Sequence, residues 1–139
     1  MTVFISDSEQ ETAKIAGQLA KTVRIGDVIA LYGTLGAGKT AFCRGFIQSL
    51  TQATEVPSPT FTLLQVYDTP AFPIYHFDMY RLKNPLEAYE IGIEDAFAEG
   101  VSLIEWPEKL GNLLPPKHIS VYIDIIPEGR RITIKGSTL

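Results

Sequence analysis

Cysteine is nearly absent from this sequence: Cys43 stands alone among 139 residues. A single thiol makes no intrachain disulfide and no cysteine cluster for a metal, and this usage fits a reducing compartment. Basic residues are also few. The 12 Lys and Arg face 16 Asp and Glu, for a net charge of −4 and a pI near 5.1, which argues against the basic stripe that a large nucleic-acid footprint needs. No apolar run approaches the about 18 residues of a membrane span. The opening residues 1–7 carry neither the basic start nor the apolar stretch of a secretory leader. A cytoplasmic protein without membrane contact is therefore expected. Internal repeats and low-complexity segments are missing too.

What is present suits an ordinary globular chain. Apolar residues make up 45% and charged residues 20%, so a core can form without staples. A chain of about 150 residues buries roughly 68–70% of its unfolded surface, and one domain over residues 1–139 is expected. Acids crowd one stretch, with Glu87, Glu90, Glu94, Asp95, Glu99, Glu105 and Glu108 answered by no Lys or Arg between them. They read mostly as a solvated face, with a docking surface for a basic partner as the alternative.

The order of elements follows from periodicity and punctuation. Residues 2–5 are β-prone, and Ser8 with Glu11 has the spacing of a capping box, which predicts a helix start at Ser8. Ala13, Ala16, Leu19 and Ala20 then form its apolar stripe. Val28 to Tyr32 reads as a strand buried on both faces, and Lys39 to about Leu50 as a second amphipathic helix. Residues 51–60, proline-bearing and polar, predict a surface loop. Phe61 to Tyr67 and Phe72 to Phe77 predict an antiparallel hairpin. A helix is expected from Asn84-Pro85, with Leu86, Tyr89 and Ile91 on its apolar side and Gly92 interrupting it. Val101 to Ile104 predicts another buried strand, and residues 118–126 and 130–134 a closing hairpin. The pattern is an α/β fold: a P-loop NTPase-like single domain with a central, mostly parallel sheet, antiparallel additions and flanking helices.

Gly33-Thr-Leu-Gly-Ala-Gly-Lys39-Thr40 matches G-x-x-x-x-G-K-[ST] in full, between the buried strand and the amphipathic helix where the motif must lie. Backbone N–H groups from Leu35 through Gly36, Ala37, Gly38 and Lys39 to Thr40 can curl round a phosphate only where glycines allow close approach. Lys39 would bridge β- and γ-phosphates, and the Thr40 hydroxyl would ligate Mg²⁺. A second protein contact to that ion calls for a carboxylate at a strand end. Glu105 and Asp78 both close apolar strands; Glu105 is given the metal side, and Asp78 the attacking water or a supporting position. For each, a strand-end cap is the alternative. Thr60 could sense the γ-phosphate as GTPase switch loops do, or be an ordinary turn residue. His76 lies beside Asp78, and on an alternating strand it is either part of that chemistry or simply a core or edge residue. Trp106 is read as a buried anchor in preference to a neighbour of the nucleotide, and Cys43 as structural.

Taken together, Leu35-Gly-Ala-Gly-Lys-Thr40, Ser58-Pro-Thr-Phe-Thr62, His76-Phe-Asp-Met-Tyr-Arg-Leu82, Ile91-Gly-Ile93 and Leu103-Ile-Glu-Trp-Pro107 resemble the bacterial TsaE (YjeE) ATPases over nearly the whole chain. The resemblance implies a role in the threonylcarbamoyl adenosine modification of tRNA. It further implies ATP on residues 35–40, Mg²⁺ on Thr40 and Glu105, and hydrolysis or switching by Asp78 with Thr60. Arg130 is similar to a family position near the nucleotide, and Ser8 lies in the segment that would reach the base. The implied partners are the transferase TsaD and its paralogue TsaB, with tRNA met only through that complex. Met79 departs from the leucine common at its position. A weak Mg-dependent ATPase reliant on partners is the first reading. A small-molecule kinase and a non-hydrolysing, nucleotide-controlled binding module are the alternatives; a kinase would want a basic lid, and arginines here are few and scattered. N-K-x-D and D-x-x-G motifs are absent, which disfavours a GTPase.

Overall fold

In the computed structural model, which describes residues 1–139, the short apolar runs become the middle of a 7-stranded sheet. The strands are β1 (Thr2–Ser6), β2 (Val28–Tyr32), β3 (Leu64–Tyr67), β4 (Ile74–Asp78), β5 (Val101–Glu105), β6 (Ile119–Ile126) and β7 (Gly129–Lys135). Their spatial order is β1-β7-β6-β2-β5-β4-β3. Strands β6, β2, β5 and β4 run parallel, while β1, β7 and β3 join by antiparallel pairing at the two edges. The fold is thus a single α/β domain with a parallel centre and antiparallel additions. β5 is buried along its whole length, and β2 along all but its last residue, as strands covered on both faces must be.

Two helical layers do the covering. α1 (Glu9–Ala20) starts where expected, with Ser8 Oγ accepting the Glu11 N–H at 3.1 Å, which satisfies one of the donors a helix start leaves open. α1 and α2 (Lys39–Leu50) bury Ile15, Leu19, Phe42, Phe46 and Ile47 against Ile29, Leu31 and Leu103 of one sheet face. The alternate residues Val28, Phe77 and Ile104 face the other way, toward Ala88 of α3 (Glu87–Glu90), Ile93 and Ala96 of α4 (Ile93–Glu99), and Leu110 in 3₁₀ turns over Pro107–Leu113. This period-2 split assigns positions 74, 76 and 78 of β4, and 101, 103 and 105 of β5, to the α2 side.

Two expectations need correction. The first hairpin strand begins at Leu64, not Phe61, because Leu63 takes a left-handed φ of 68° and its N–H closes a turn on Pro59 O at 2.7 Å; Phe61 is left 80% exposed. Its partner begins at Ile74, opposite Tyr67, and Pro73 before it has no N–H to give a ladder. The helix at Asn84-Pro85 shrinks to the 4 residues of α3. Asn84 Oδ1 and Glu87 Oε1 satisfy the backbone there, and Ala88 is buried in place of Leu86 and Tyr89, which are exposed.

α1 and α2 approach each other at Gly45, where a Cβ would lie 2.5 Å from Ala13 Cα. That neighbour is backbone and cannot swing aside. Gly45→Val is therefore expected to cost about 2–3 kcal/mol by overpacking, lowering the melting temperature by roughly 5–10 °C in a circular-dichroism melt.

Candidate functional site

The octet leaves the C-terminal end of β2 and passes directly into α2. Gly36 (φ 80°) and Gly38 (φ 111°) occupy the left-handed region, which strains residues with a Cβ and turns successive N–H groups into one concavity. Gly38 caps α2 with no side-chain partner, so the first-turn N–H groups stay available to an anion. Lys39 is only 6% exposed. Its ammonium donates to Gly33 O and, at 3.2 Å, to Thr34 O, and sits 3.9 Å from the centre of the Trp106 ring. Burial lowers its pKa, against the pull of Glu105, Glu108 and Asp78.

Beside the loop, parallel pairing sets Glu105 level with Leu31 on one side and Asp78 on the other. Both acids are buried, at 2% and 4% exposure, at the strand ends where α/β sheets place their ligands. The Thr40 hydroxyl lies 3.0 Å from Glu105 Oε1 and 3.3 Å from Oε2. An octahedral Mg²⁺ with metal–oxygen bonds of about 2.1 Å has adjacent ligands about 3 Å apart, so the pair as it stands fits two corners of such an ion. Asp78 is held differently: Oδ2 accepts from Thr60 Oγ1 at 3.0 Å and Oδ1 from Tyr80 N–H at 3.0 Å. Ser58 and Thr60 hydroxyls share a 2.7 Å bond. The sequence placed Thr60 near a phosphate only by analogy, and here it shares a hydrogen bond with the second acid.

Two clefts flank the loop. One, of about 400 Å³, is lined by residues including Lys39, Thr40, Arg44, Ser58, Thr60, Asp78, Glu105 and Trp106. The other, of about 220 Å³, lies between the loop and the N-terminal segment, with Ser8, Thr12, Gly36, Ala37 and Arg130 on its walls. Ser8 and Arg130 therefore do meet at one cleft beside the loop. Their polar groups, however, are largely committed: the Ser8 hydroxyl caps α1. Arg130 donates to Ala37 O at 2.8 Å, Gly129 O at 2.9 Å and Gly36 O at 3.3 Å. Arg130 thus clamps the loop backbone with its carbonyls turned outward.

Three further residues complete the site. Trp106, read as a buried anchor, is half-buried in a left-handed φ of 56° and walls the larger cleft, with its ring against Lys39 and 4.9 Å from the Tyr80 ring. His76 is a core residue, 0% exposed, with Nε2 2.7 Å from Glu105 Oε2. Arg44 was overlooked, although its place one helical turn after Thr40 puts it on the same face. Cys43 is fully buried, and burial together with Glu105 and Asp78 pushes its thiol well up, so it is structural, as read.

Comparison with known proteins shows the family. The profile of the family described as "Threonylcarbamoyl adenosine biosynthesis protein TsaE" matches residues 6–132. The chain belongs to the TsaE family. It is similar to the tRNA threonylcarbamoyladenosine biosynthesis protein TsaE of Rickettsia felis, at 45% identity over 94% of this chain and 77% of that protein. To TsaE of Bacillus subtilis it is 38% identical over 82% of this chain and 72% of that one. A crystal structure of Bacillus subtilis YdiB superposes with a TM-score of 0.80 at 32% identity, covering 96% of this chain and 83% of that one. No helix is long and apolar enough to cross a membrane. Family membership connects the chain with the biosynthesis of threonylcarbamoyladenosine in tRNA.

Proposed function

We propose that this protein is an Mg-dependent ATPase that supports threonylcarbamoyladenosine formation in the cytoplasm, acting on a TsaD–TsaB pair. The observation that carries the reading is the Thr40 hydroxyl 3.0 Å from the Glu105 carboxylate, with Asp78 level beside it. Two buried acids next to a polyphosphate cradle repel the ligand unless a divalent cation stands between them. Thr40 and Glu105 are the groups that would hold Mg²⁺, whose charge would withdraw electrons from the β- and γ-phosphoryl oxygens. The amides of residues 35–40 bind the phosphates, and Lys39 leaves Gly33 O and Thr34 O to meet them. Asp78, fixed by Thr60 and Tyr80, orients the water that attacks the γ-phosphorus as the bond to the β-phosphate oxygen breaks. Arg130 keeps the loop open, and the cleft by Ser8 is the place for the base. Nothing in the chain supplies an acyl-transfer centre, so the energy of the cycle passes to partners by conformational coupling.

Reconstitution tests the reading. The purified chain is expected to release phosphate from Mg-ATP slowly, to modify no tRNA alone, and to restore multiple turnovers to purified TsaD and TsaB. Unchanged modification on its addition would overturn the partner assignment. Phosphate transfer that demands a small acceptor would favour a kinase instead.

A further inference from the structure

We infer that His76 is the positioning residue of the cation site: its imidazole holds the Glu105 carboxylate so that one oxygen stays turned to Thr40. The inference rests on the Mg-nucleotide reading above and names the residue that makes that site work. His76 lies on β4, two positions before Asp78, and is fully buried. Its Nε2 is 2.7 Å from Glu105 Oε2. Glu105 has no other side-chain donor than the Thr40 hydroxyl, and that hydroxyl carries a single proton.

A carboxylate at 2% exposure with one hydroxyl donor would be poorly paired, and burial of an underpaired charge is costly. It would also be free to turn about its terminal bond. The imidazole removes both difficulties. By bonding Oε2 at 2.7 Å, it leaves Oε1 as the nearer oxygen to Thr40 Oγ1, 3.0 Å against 3.3 Å to Oε2, and it would remain bonded if that hydroxyl turned its lone pair to a cation. An outer group that fixes a metal-binding carboxylate in this way is commonly worth a 10- to 100-fold change in metal affinity.

Glu105 is the one hydrogen-bond partner of the ring, with the buried Cys43 thiol within 4.8 Å. Nδ1 is buried with no hydrogen-bond partner at all. An ionised carboxylate only accepts, so the hydrogen of this bond sits on Nε2. Had the histidine served packing alone, an apolar side chain would fill the space without leaving a nitrogen unpaired. One strand thereby governs both acids of the site. His76 holds the metal-side acid and Asp78 serves the water, at a fixed separation along β4.

Calorimetry of ADP binding with and without Mg²⁺ tests this on the full chain, comparing wild type with His76→Gln, His76→Asn and Glu105→Gln. Glutamine can place an amide N–H near the Nε2 position; asparagine is too short. Wild type should bind more tightly with Mg²⁺, and Glu105→Gln should lose that gain. His76→Asn should raise the Mg²⁺ concentration for half-effect by roughly 10- to 100-fold, with Mg-free ADP affinity within about twofold of wild type, while His76→Gln retains most of the wild-type response. Nitrogen-15 spectra of the nucleotide-free wild type, in which His118 is the one other histidine, should show His76 as the Nε2–H tautomer. An Nδ1–H tautomer overturns the inference. So does an equal loss of Mg-free and Mg-bound affinity in both His76 variants, or an unchanged Mg²⁺ half-effect in His76→Asn when Glu105→Gln has lost its gain. Wild-type binding indifferent to Mg²⁺ would instead defeat the parent reading, and this inference with it.

Discussion

Asp78→Asn is expected to lower single-turnover phosphate release by roughly 10²- to 10⁴-fold, the range supplied by a positioned acid–base group, while ATP affinity stays within a few-fold of wild type. The split follows from the two acids' different surroundings. Asp78 spends its oxygens on Thr60 Oγ1 and Tyr80 N–H, away from the Thr40 hydroxyl, so it contributes little to holding the nucleotide. Asparagine is nearly isosteric and can still accept one of those bonds, so the fold should stand. What it loses is the negative charge toward a water. Phosphate release in a rapid-mix assay, set beside calorimetric ATP titration, reads both quantities. If affinity falls and the chemical step is spared, Asp78 is the metal-side acid and Glu105 the water-side one.

Lys39→Ala is expected to weaken ATP binding by roughly 10- to 150-fold, because a hydrogen bond to a charged group is worth about 1.5–3 kcal/mol. The ammonium is largely buried: it donates to Gly33 O and Thr34 O, lies against the Trp106 ring, and its pKa is lowered by burial. A phosphate would replace two neutral carbonyl acceptors with a charged one. The fold should survive, since the core around Phe42 and Phe46 does not depend on this side chain. Trp106 reports the event directly. Its fluorescence should change when ATP draws Lys39 from the ring, and the change should vanish in Lys39→Ala. Unaltered affinity in calorimetry would remove Lys39 from the binding site.

Much of this was legible from short stretches of sequence. The Ser8–Glu11 spacing fixes the start of α1 through neighbours three residues apart. Val28 to Tyr32 and Val101 to Glu105 are apolar without alternation, which is what burial on both faces demands. The octet from Gly33 to Thr40 needs only its own glycines and the following helix to form a concave loop of backbone N–H groups. The errors fell where a local pattern competed with a remote partner. Phe61 looked like the start of a strand, yet the backbone at Leu63 turned to meet Asp78 N–H across the sheet. Leu86 and Tyr89 had helical spacing, but a segment of 4 residues offers its neighbours only Ala88.

By itself, then, the sequence determined the elements, the glycine-rich loop and the two acids that end apolar strands, because capping, alternation and glycine placement act over a few residues. Tertiary structure alone decided what each functional group touches. Thr40 finds Glu105 across 65 positions, Arg130 finds Ala37 across 93, and His76 finds Glu105 across 29. Those contacts depend on strand order and register: β4 and β5 must lie side by side in parallel, and the last hairpin must fold back beside the loop. Parallel neighbours are joined by long crossovers, so their pairing is set by packing of the whole sheet between its helices and leaves no short-range mark in the chain.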